Sequence, residues 1–161
     1  MNFRPMTAGD LPVLLPLQEE GAVAALSHIF PQDLSPFQRE VIMERWGRDV
    51  GDPAVYAYVA ADERGRLSGF AAIRGSELLR FGTARRLWGS GLATHLHDFV
   101  VEELERTSDA PYLWLRVFEE NRRARRFYEK LGWQATDIRT QSTFPPRPHL
   151  VEYRRDRREA D

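Results

Sequence analysis

A glycine-containing loop near the middle of the chain is the first feature with chemical meaning. It reads Trp88-Gly89-Ser90-Gly91-Leu92-Ala93, follows a predicted strand and opens a predicted helix. A helix N-terminus carries unpaired N–H groups and partial positive charge, and glycines let an anion approach the backbone closely. The loop therefore predicts either a phosphate-binding site or a simple tight turn from strand to helix.

Two common nucleotide-binding loops do not fit this stretch. The phosphate loop of nucleoside triphosphatases requires a Gly-Lys pair, and the chain contains none. The dinucleotide-binding fingerprint spaces its third small residue differently and usually opens its domain, whereas this loop lies mid-chain after a predicted hairpin. Nucleoside triphosphates and dinucleotides are therefore disfavoured as ligands.

A second feature is a pair of polar side chains seven residues apart, Asn121 and Tyr128. In a helix that spacing places both on one face, roughly 10 Å apart, with the small Ala124 between them. Taken singly, Asn121 could cap the helix and Tyr128 could be an amphipathic core residue with its hydroxyl at the surface. Together, after a strand and a glycine loop, they favour a groove that binds a ligand.

The elements that would position these residues follow from the spacing of apolar side chains. Helices are expected over 11–26, 36–48, 91–106 and 121–131. Strands are expected over 3–7, 54–61, 67–73, 77–83, 111–117, 133–142 and 150–154. Helices, then antiparallel strands, then two strand–helix units predict a mixed α/β layer fold.

The loop and the helix pair together resemble the GNAT superfamily of N-acetyltransferases, over about residues 54–133. In that family a strand feeds a loop of the form Gln/Arg-x-x-Gly-x-Gly/Ala, and a later segment reads Asn-x-x-Ala-x-x-x-Tyr-x-x-x-Gly-Phe/Trp. Gly91 and Ala93 match the first pattern, whereas Trp88 stands where Gln or Arg is usual and Arg85 where many members have proline. The second pattern is matched at every position, by Asn121, Ala124, Tyr128, Gly132 and Trp133.

The resemblance implies a mixed central sheet of six to seven strands flanked by about four helices. Two parallel strands of that sheet would splay apart and hold acetyl-CoA. It also implies a single acyltransferase domain over 1–161. The cofactor core would span about 54–133, and the acceptor side about 9–50 and 134–154.

The resemblance further implies roles for individual residues around acetyl-CoA. Asn121 would hydrogen-bond the pantetheine arm, and Tyr128 would act as the general acid that protonates the departing CoA thiolate. Backbone groups of the preceding strand would meet the pantetheine and the acetyl carbonyl, at Phe81, Gly82 and Thr83. The loop would cradle the pyrophosphate, through Gly89, Ser90, Gly91, Leu92, Ala93 and Thr94.

Direct attack by an amine on the thioester suits a chain that has no cysteine. The absence of cysteine excludes disulfides, thiolate metal sites and a cysteine nucleophile. Glu77, at the head of the strand before the loop, is the first candidate for the base, and a solvated strand-end carboxylate is the alternative; Glu119 and Glu120 are second choices. No metal is expected, because His95 and His97 point away from each other on a helix.

Two irregular, apolar-rich segments, 27–37 and 140–149, are assigned to the acceptor side by the resemblance. Phe30, Phe37 and Phe144 would contact the acceptor, against the alternative of ordinary loop packing. The acceptor is expected to be a primary amine on a small molecule. Acetylation of a protein N-terminus or lysine is the second hypothesis. A non-catalytic acyl-CoA-binding module is the third, and Tyr128 disfavours it because a protein that only binds acyl-CoA needs no acid at that position.

Composition places further bounds on the partners. The formal net charge is −1, which argues against bulk binding to nucleic acid or membrane. No apolar run reaches the roughly 20 residues of a membrane span, and no signal-peptide pattern opens the chain, so a cytoplasmic protein is expected. A monomer and a homodimer both remain open.

Overall fold

The computed structural model describes residues 1–158, which form one seven-stranded sheet and four α-helices. The strands are β1 (Asn2–Pro5), β2 (Val55–Ala61), β3 (Leu67–Arg74), β4 (Glu77–Thr83), β5 (Tyr112–Phe118), β6 (Gln134–Gln141) and β7 (His149–Asp156). The helices are α1 (Leu11–Leu26), α2 (Arg39–Gly51), α3 (Leu92–Thr107) and α4 (Arg122–Lys130). The predicted fold class is thereby confirmed.

The sheet is covered on both faces, and β3 shows why. Its residues are buried from Leu67 to Ile73, and successive side chains of a strand point to opposite faces. Ala71 and Ile73 join a core that includes side chains from α3, whereas Phe70 and Ala72 join a second core with side chains from α1 and α2. The two cores fix the helices on either side of the sheet.

The strand order is β1-β2-β3-β4-β5-β7-β6, and β4 and β5 are its parallel pair. They pair at only two positions, Glu77 with Trp114 and Leu78 with Leu115. A bulge follows at once, because Ala72 of β3 pairs with Arg80 while Ile73 pairs with Leu78, which leaves Leu79 unpaired. A bulge bends its strand. Beyond it β4 stays with β3 and β5 stays with β7, so the parallel pair splays.

Several predicted boundaries differ from the structure, and three of them have local reasons. The second helix begins at Arg39 instead of residue 36, because the Phe37 N–H donates to Gln32 Oε1 at 3.1 Å and holds this stretch as a loop. The first strand ends before Thr7, whose N–H donates to the Asp10 carboxylate at 2.8 Å. The last strand runs on past residue 154 to Asp156, paired with β5. Residues 159–161 of the predicted domain lie outside the described part.

Candidate active site

A cleft of about 420 Å³ opens where β4 and β5 separate. Both strands, α1 and α4 contribute to its walls, together with Ala93 at the start of α3. Small residues of α1 line it, at Gly21, Ala22 and Ala25. The cleft brings together six of the residues predicted to meet the cofactor or its sulfur, namely Phe81, Gly82, Thr83, Ala93, Asn121 and Tyr128. The other predicted loop residues do not line it, namely Gly89, Ser90, Gly91, Leu92 and Thr94.

Packing against β3 explains the glycine in the β4 wall of the cleft, Gly82. Gly82 pairs with Phe70 of β3, and a Cβ atom at position 82 would lie 2.5 Å from the Phe70 ring. A larger residue at position 82 would have to displace the buried Phe70 ring, whatever ligand the cleft holds. Thr83 is the next residue, and its carbonyl accepts a hydrogen bond from the indole N–H of Trp88 at 3.2 Å.

The glycine loop before α3 adopts the backbone that its sequence predicts. Gly89 and Gly91 have φ values of +84° and +91°, a region that L side chains rarely adopt. The Ser90 hydroxyl accepts the Leu92 N–H at 3.3 Å, and the Leu92 side chain is buried in the core. Within residues 1–158 the next two amides, of Ala93 and Thr94, have no protein acceptor. They are the groups that an anion could bind.

The α4 wall begins at Asn121, which caps the helix. Its side-chain oxygen accepts the Ala124 N–H at 3.2 Å, while its side chain also borders the cleft. The capping role is therefore real, and the side-chain amide N–H groups remain for a ligand. Next to it, the Arg123 guanidinium lies 3.6 Å from the centre of the Trp88 ring. This pair joins α4 to the glycine loop.

Tyr128 lies inside an aromatic cluster at the base of the cleft. Its ring is 5.2 Å from Phe127, 6.0 Å from Trp133 and 6.4 Å from Phe81, between ring centres. Burial raises the pKa of its hydroxyl above the ordinary value. No group in residues 1–158 hydrogen-bonds that hydroxyl, and it is not among the unpaired atoms sealed from solvent. It therefore faces the cleft with its proton in place.

A second cavity, of about 470 Å³, adjoins the cleft. The three phenylalanines predicted for the acceptor side, Phe30, Phe37 and Phe144, all line it. Phe30 packs edge-to-face on Phe118 at 5.2 Å, so the segment after α1 lies against the end of β5. The two cavities share side chains at the bulge, including Leu79 and Arg80.

Glu77 borders this second cavity and not the cleft. It is 4% exposed, so the expectation of a solvated strand-end carboxylate is wrong. Its two oxygens each lie 3.5 Å from a guanidinium nitrogen, one of Arg74 and one of Arg116. Parallel pairing of β4 with β5 brings Arg116 beside it. Neither Glu119 nor Glu120, the second choices for the base, lines either cavity.

His97 is buried on α3 behind the aromatic cluster. The Trp133 indole N–H donates to its Nε2 at 2.9 Å, so the proton of the neutral ring lies on Nδ1, which donates to Asp98 at 3.0 Å. Burial lowers the pKa of the ring, and Asp98 opposes that effect. In residues 1–158 no group of three or more His, Asp and Glu side chains could hold a metal ion.

Several residues of the site escaped the sequence prediction. The small residues of α1 were unassigned, although Gly21, Ala22 and Ala25 recur at helical spacing and such spacing is a readable signal. Arg45, Arg80 and Arg116 line the second cavity. Nothing in their local sequence distinguishes them from surface arginines.

Comparison with known proteins agrees with this geometry. The Acetyltransferase (GNAT) family model matches residues 22–133. Among solved structures, spermidine N-acetyltransferase from Vibrio cholerae, in complex with CoA and spermine, is 17% identical with a TM-score of 0.72, covering 97% of this chain and 95% of that one. No curated protein sequence matches.

Two further structures show the same fold over nearly the whole chain. The ribosomal-protein-S18-alanine N-acetyltransferase from Escherichia coli is 17% identical with a TM-score of 0.72, covering 99% of this chain and 96% of that one. The PaiA N-acetyltransferase from Thermoplasma acidophilum, in complex with coenzyme A, is 15% identical with a TM-score of 0.73, covering 96% and 98%.

Proposed function

Because the chain belongs to the GNAT acetyltransferase family, we propose that it transfers the acetyl group of acetyl-CoA to a primary amine of a small molecule. The observation that carries the proposal is the pair of cavities that meet at the β4 bulge. One has the features of a cofactor cleft and the other is of a size suited to an acceptor. Small-molecule sites are typically clefts of about 300–1,000 Å³.

The residues of the cleft fit acetyl-CoA. Splayed strands leave backbone groups of β4 without a strand partner on the β5 side, where an extended pantetheine arm could pair with them. The unbonded amides of Ala93 and Thr94 and the positive-φ glycines before them suit a pyrophosphate. The side-chain amide of Asn121 borders the same cleft. The thioester supplies an activated acetyl group.

Tyr128 and Glu77 divide the proton transfers between the two cavities. The reaction forms a C–N bond and breaks the C–S bond, so the amine must lose a proton and the sulfur must gain one. Tyr128 faces the cofactor side and donates its proton, or a hydrogen bond, as the sulfur departs. Glu77 borders the acceptor side and accepts the amine proton, directly or through water.

A small acceptor is favoured over a polypeptide by the shape of the second cavity. Its lining includes Phe144 and Pro145 from the segment between β6 and β7, and Phe30 and Phe37 from the segment after α1. Both segments contribute to the wall of this cavity. The similar structures act on different acceptors, spermidine in one case and a ribosomal protein in another. A protein acceptor therefore stays as the alternative, and a non-catalytic acyl-CoA-binding module as the third.

The test is acetyl transfer from pure protein and acetyl-CoA to a panel of amines. The panel contains spermidine, amino acids, aromatic amines and peptides with a free N-terminus. Thiol release and the mass of the acetylated product are measured together. Acetylation of small amines supports the proposal, and acetylation confined to peptides supports the alternative. Binding of acetyl-CoA with no product from any amine would contradict an enzyme.

A further inference from the structure

The second cavity carries more positive than negative charge. Its lining within residues 1–158 includes three arginines, Arg45, Arg80 and Arg116, and one acid, Glu77. Arg80 is neutralised by Asp49 of α2, at 2.6 Å between Nε and Oδ2.

Glu77 cannot balance its own surroundings. It lies between Arg74 and Arg116, each 3.5 Å away, so one buried negative charge meets two positive charges. This group of three carries a net charge of +1. An acceptor with a second cationic group would gain little here, because Glu77, the one acid of the lining within residues 1–158, already faces two arginines.

Arg45 adds another positive charge to the lining of the cavity. Its guanidinium lies 4.5 Å from the centre of the Phe144 ring and donates to the Thr143 hydroxyl at 3.3 Å. Both contacts orient Arg45 without neutralising it. No carboxylate of residues 1–158 lies within 4.0 Å of its nitrogens. Half-buried positive charge between aromatic walls attracts an anion more strongly than it would in open water.

Resting on the proposed function, we infer that the acceptor carries an oxyanion, a carboxylate or a phosphate, in addition to its amine. Arg45 binds the oxyanion, helped by the excess charge at Arg116. The amine points to the bulge, where the two cavities meet. The body between the two groups is apolar and lies among Phe30, Phe37 and Phe144. The site thus selects an amino acid or amino phosphate over a polyamine.

Acceptors matched in everything but charge test this inference. Para-(aminomethyl)benzoate and para-(aminomethyl)benzamide share an aromatic body and an amine set apart from the variable group. We expect kcat/KM for the benzoate to exceed that for the benzamide by about tenfold or more, because hydrogen bonds to a charged group are stronger than those to a neutral one. A second pair, para-(aminomethyl)phenyl phosphate and para-(aminomethyl)phenol, gives the corresponding kcat/KM ratio for a phosphate. A larger ratio for this pair than for the benzoate pair means that the site prefers a phosphate to a carboxylate.

Arg45→Gln should lower the benzoate-to-benzamide ratio several-fold. Arg48→Gln, on the exposed side of the same helix and paired with Glu44, is the matched control and should keep the wild-type ratio. The same ratio is read from dissociation constants by calorimetry with CoA bound, which needs no turnover. A ratio of one or below in both assays overturns the inference while transfer to the benzamide still supports the proposed function. Loss of transfer to every amine contradicts the proposed function alone, because the calorimetric ratio still decides the inference.

Discussion

Burial determines what the Tyr128 side chain can do. A phenol among Phe81, Phe127 and Trp133 keeps its proton at every working pH, because burial raises its pKa. Such a group is a poor base and a dependable donor. In the proposed reaction, a phenol whose pKa lies above that of a thiol would stabilise the departing sulfur as the C–S bond breaks, instead of protonating it beforehand.

Tyr128→Phe should lower kcat by about 10²-fold, near the lower end of what a positioned acid contributes. Acetyl-CoA affinity and thermal stability should change little, because the hydroxyl has no protein hydrogen-bond partner within residues 1–158 and the ring is retained. Steady-state kinetics and a binding titration measure the two effects. Tyr112→Phe, at the start of β5 and outside both cavities, controls for the loss of a phenol. Full activity in Tyr128→Phe would show that solvent protonates the sulfur.

Glu77→Gln tests whether Glu77 acts as the base or only balances the charges of Arg74 and Arg116. If Glu77 accepts the amine proton, the rate should fall most at low pH, by roughly 10²-fold. It should recover as pH rises toward the pKa of the substrate amine, because neutral amine then becomes abundant. The measurement is the pH profile of kcat/KM.

Arg74→Gln is the matched variant for Glu77. It removes one partner of the carboxylate, is 48% exposed in its side chain, and lies outside both cavities. It should keep most of the activity at every pH, because Glu77 and its contact with Arg116 remain. An equal loss at every pH in Glu77→Gln would instead assign the carboxylate to holding Arg116 in place.

The loop between β4 and α3 connects more elements than its sequence indicates. Trp88 stands where the family has Gln or Arg, and its indole N–H binds the last carbonyl of β4 while its ring carries Arg123 of α4. One side chain therefore ties together both walls of the cleft. At this position Trp88 supplies a contact that holds the two walls together.

Gly91→Asp should abolish the rise in melting temperature that acetyl-CoA produces. A ligand at 100 times its dissociation constant stabilises by about 2.7 kcal/mol, which is roughly 5–10 °C for a domain of this size. The carboxylate would repel the pyrophosphate at the helix N-terminus. Melting curves with and without acetyl-CoA measure the shift.

Gly91→Asn is the control for that charge. Asn strains the backbone at φ +91° as Asp does, so the two variants should have similar melting temperatures without ligand. Part of the acetyl-CoA shift should remain in Asn and be absent in Asp. Gly65, a turn glycine at φ +78°, supplies Gly65→Asn as a variant strained away from the site. An equal ligand shift in all variants would show that the loop is only a turn.

Local patterns predicted the elements better than the contacts between them. Strand β4 has the predicted bounds, and the Asn121–Tyr128 spacing identified one wall of the cleft, because both depend on residues close in sequence. The bulge at Leu79 and the contact of Glu77 with Arg116 depend on neighbouring strands. No periodicity of one segment encodes them, which is why Glu77 was expected to be solvated.

Seen across the whole molecule, the site is assembled from both cores. Tyr128 belongs to the core that contains α3, and Phe70, which fixes Gly82, belongs to the core of α1 and α2. A change in either core therefore reaches the cleft.

Among the helices of residues 1–158, none combines the length and the apolar composition of a membrane span.

The stability of the whole chain should depend on pH through His97. Its pKa is lowered in the folded protein, whereas the unfolded chain has the ordinary value of about 6.5. Between the two pKa values, the unfolded state therefore binds more protons than the folded state. The contribution of His97 to the free energy of unfolding is greatest above about pH 6.5 and is lost as pH falls toward the folded pKa. Protonation of Nε2 would also break its hydrogen bond from Trp133.

His97→Gln should flatten this dependence. Glutamine can accept the Trp133 N–H and does not titrate, so the free energy of unfolding should change less between about pH 5 and 7, even if the variant is less stable at neutral pH. Urea unfolding at several pH values measures the slope. His95→Gln, exposed on the same helix, should keep the wild-type slope. If His97→Gln keeps it too, the acid sensitivity comes from paired carboxylates such as Asp10, whose pKa is lowered to about 2 chiefly by its hydrogen bonds from Arg4.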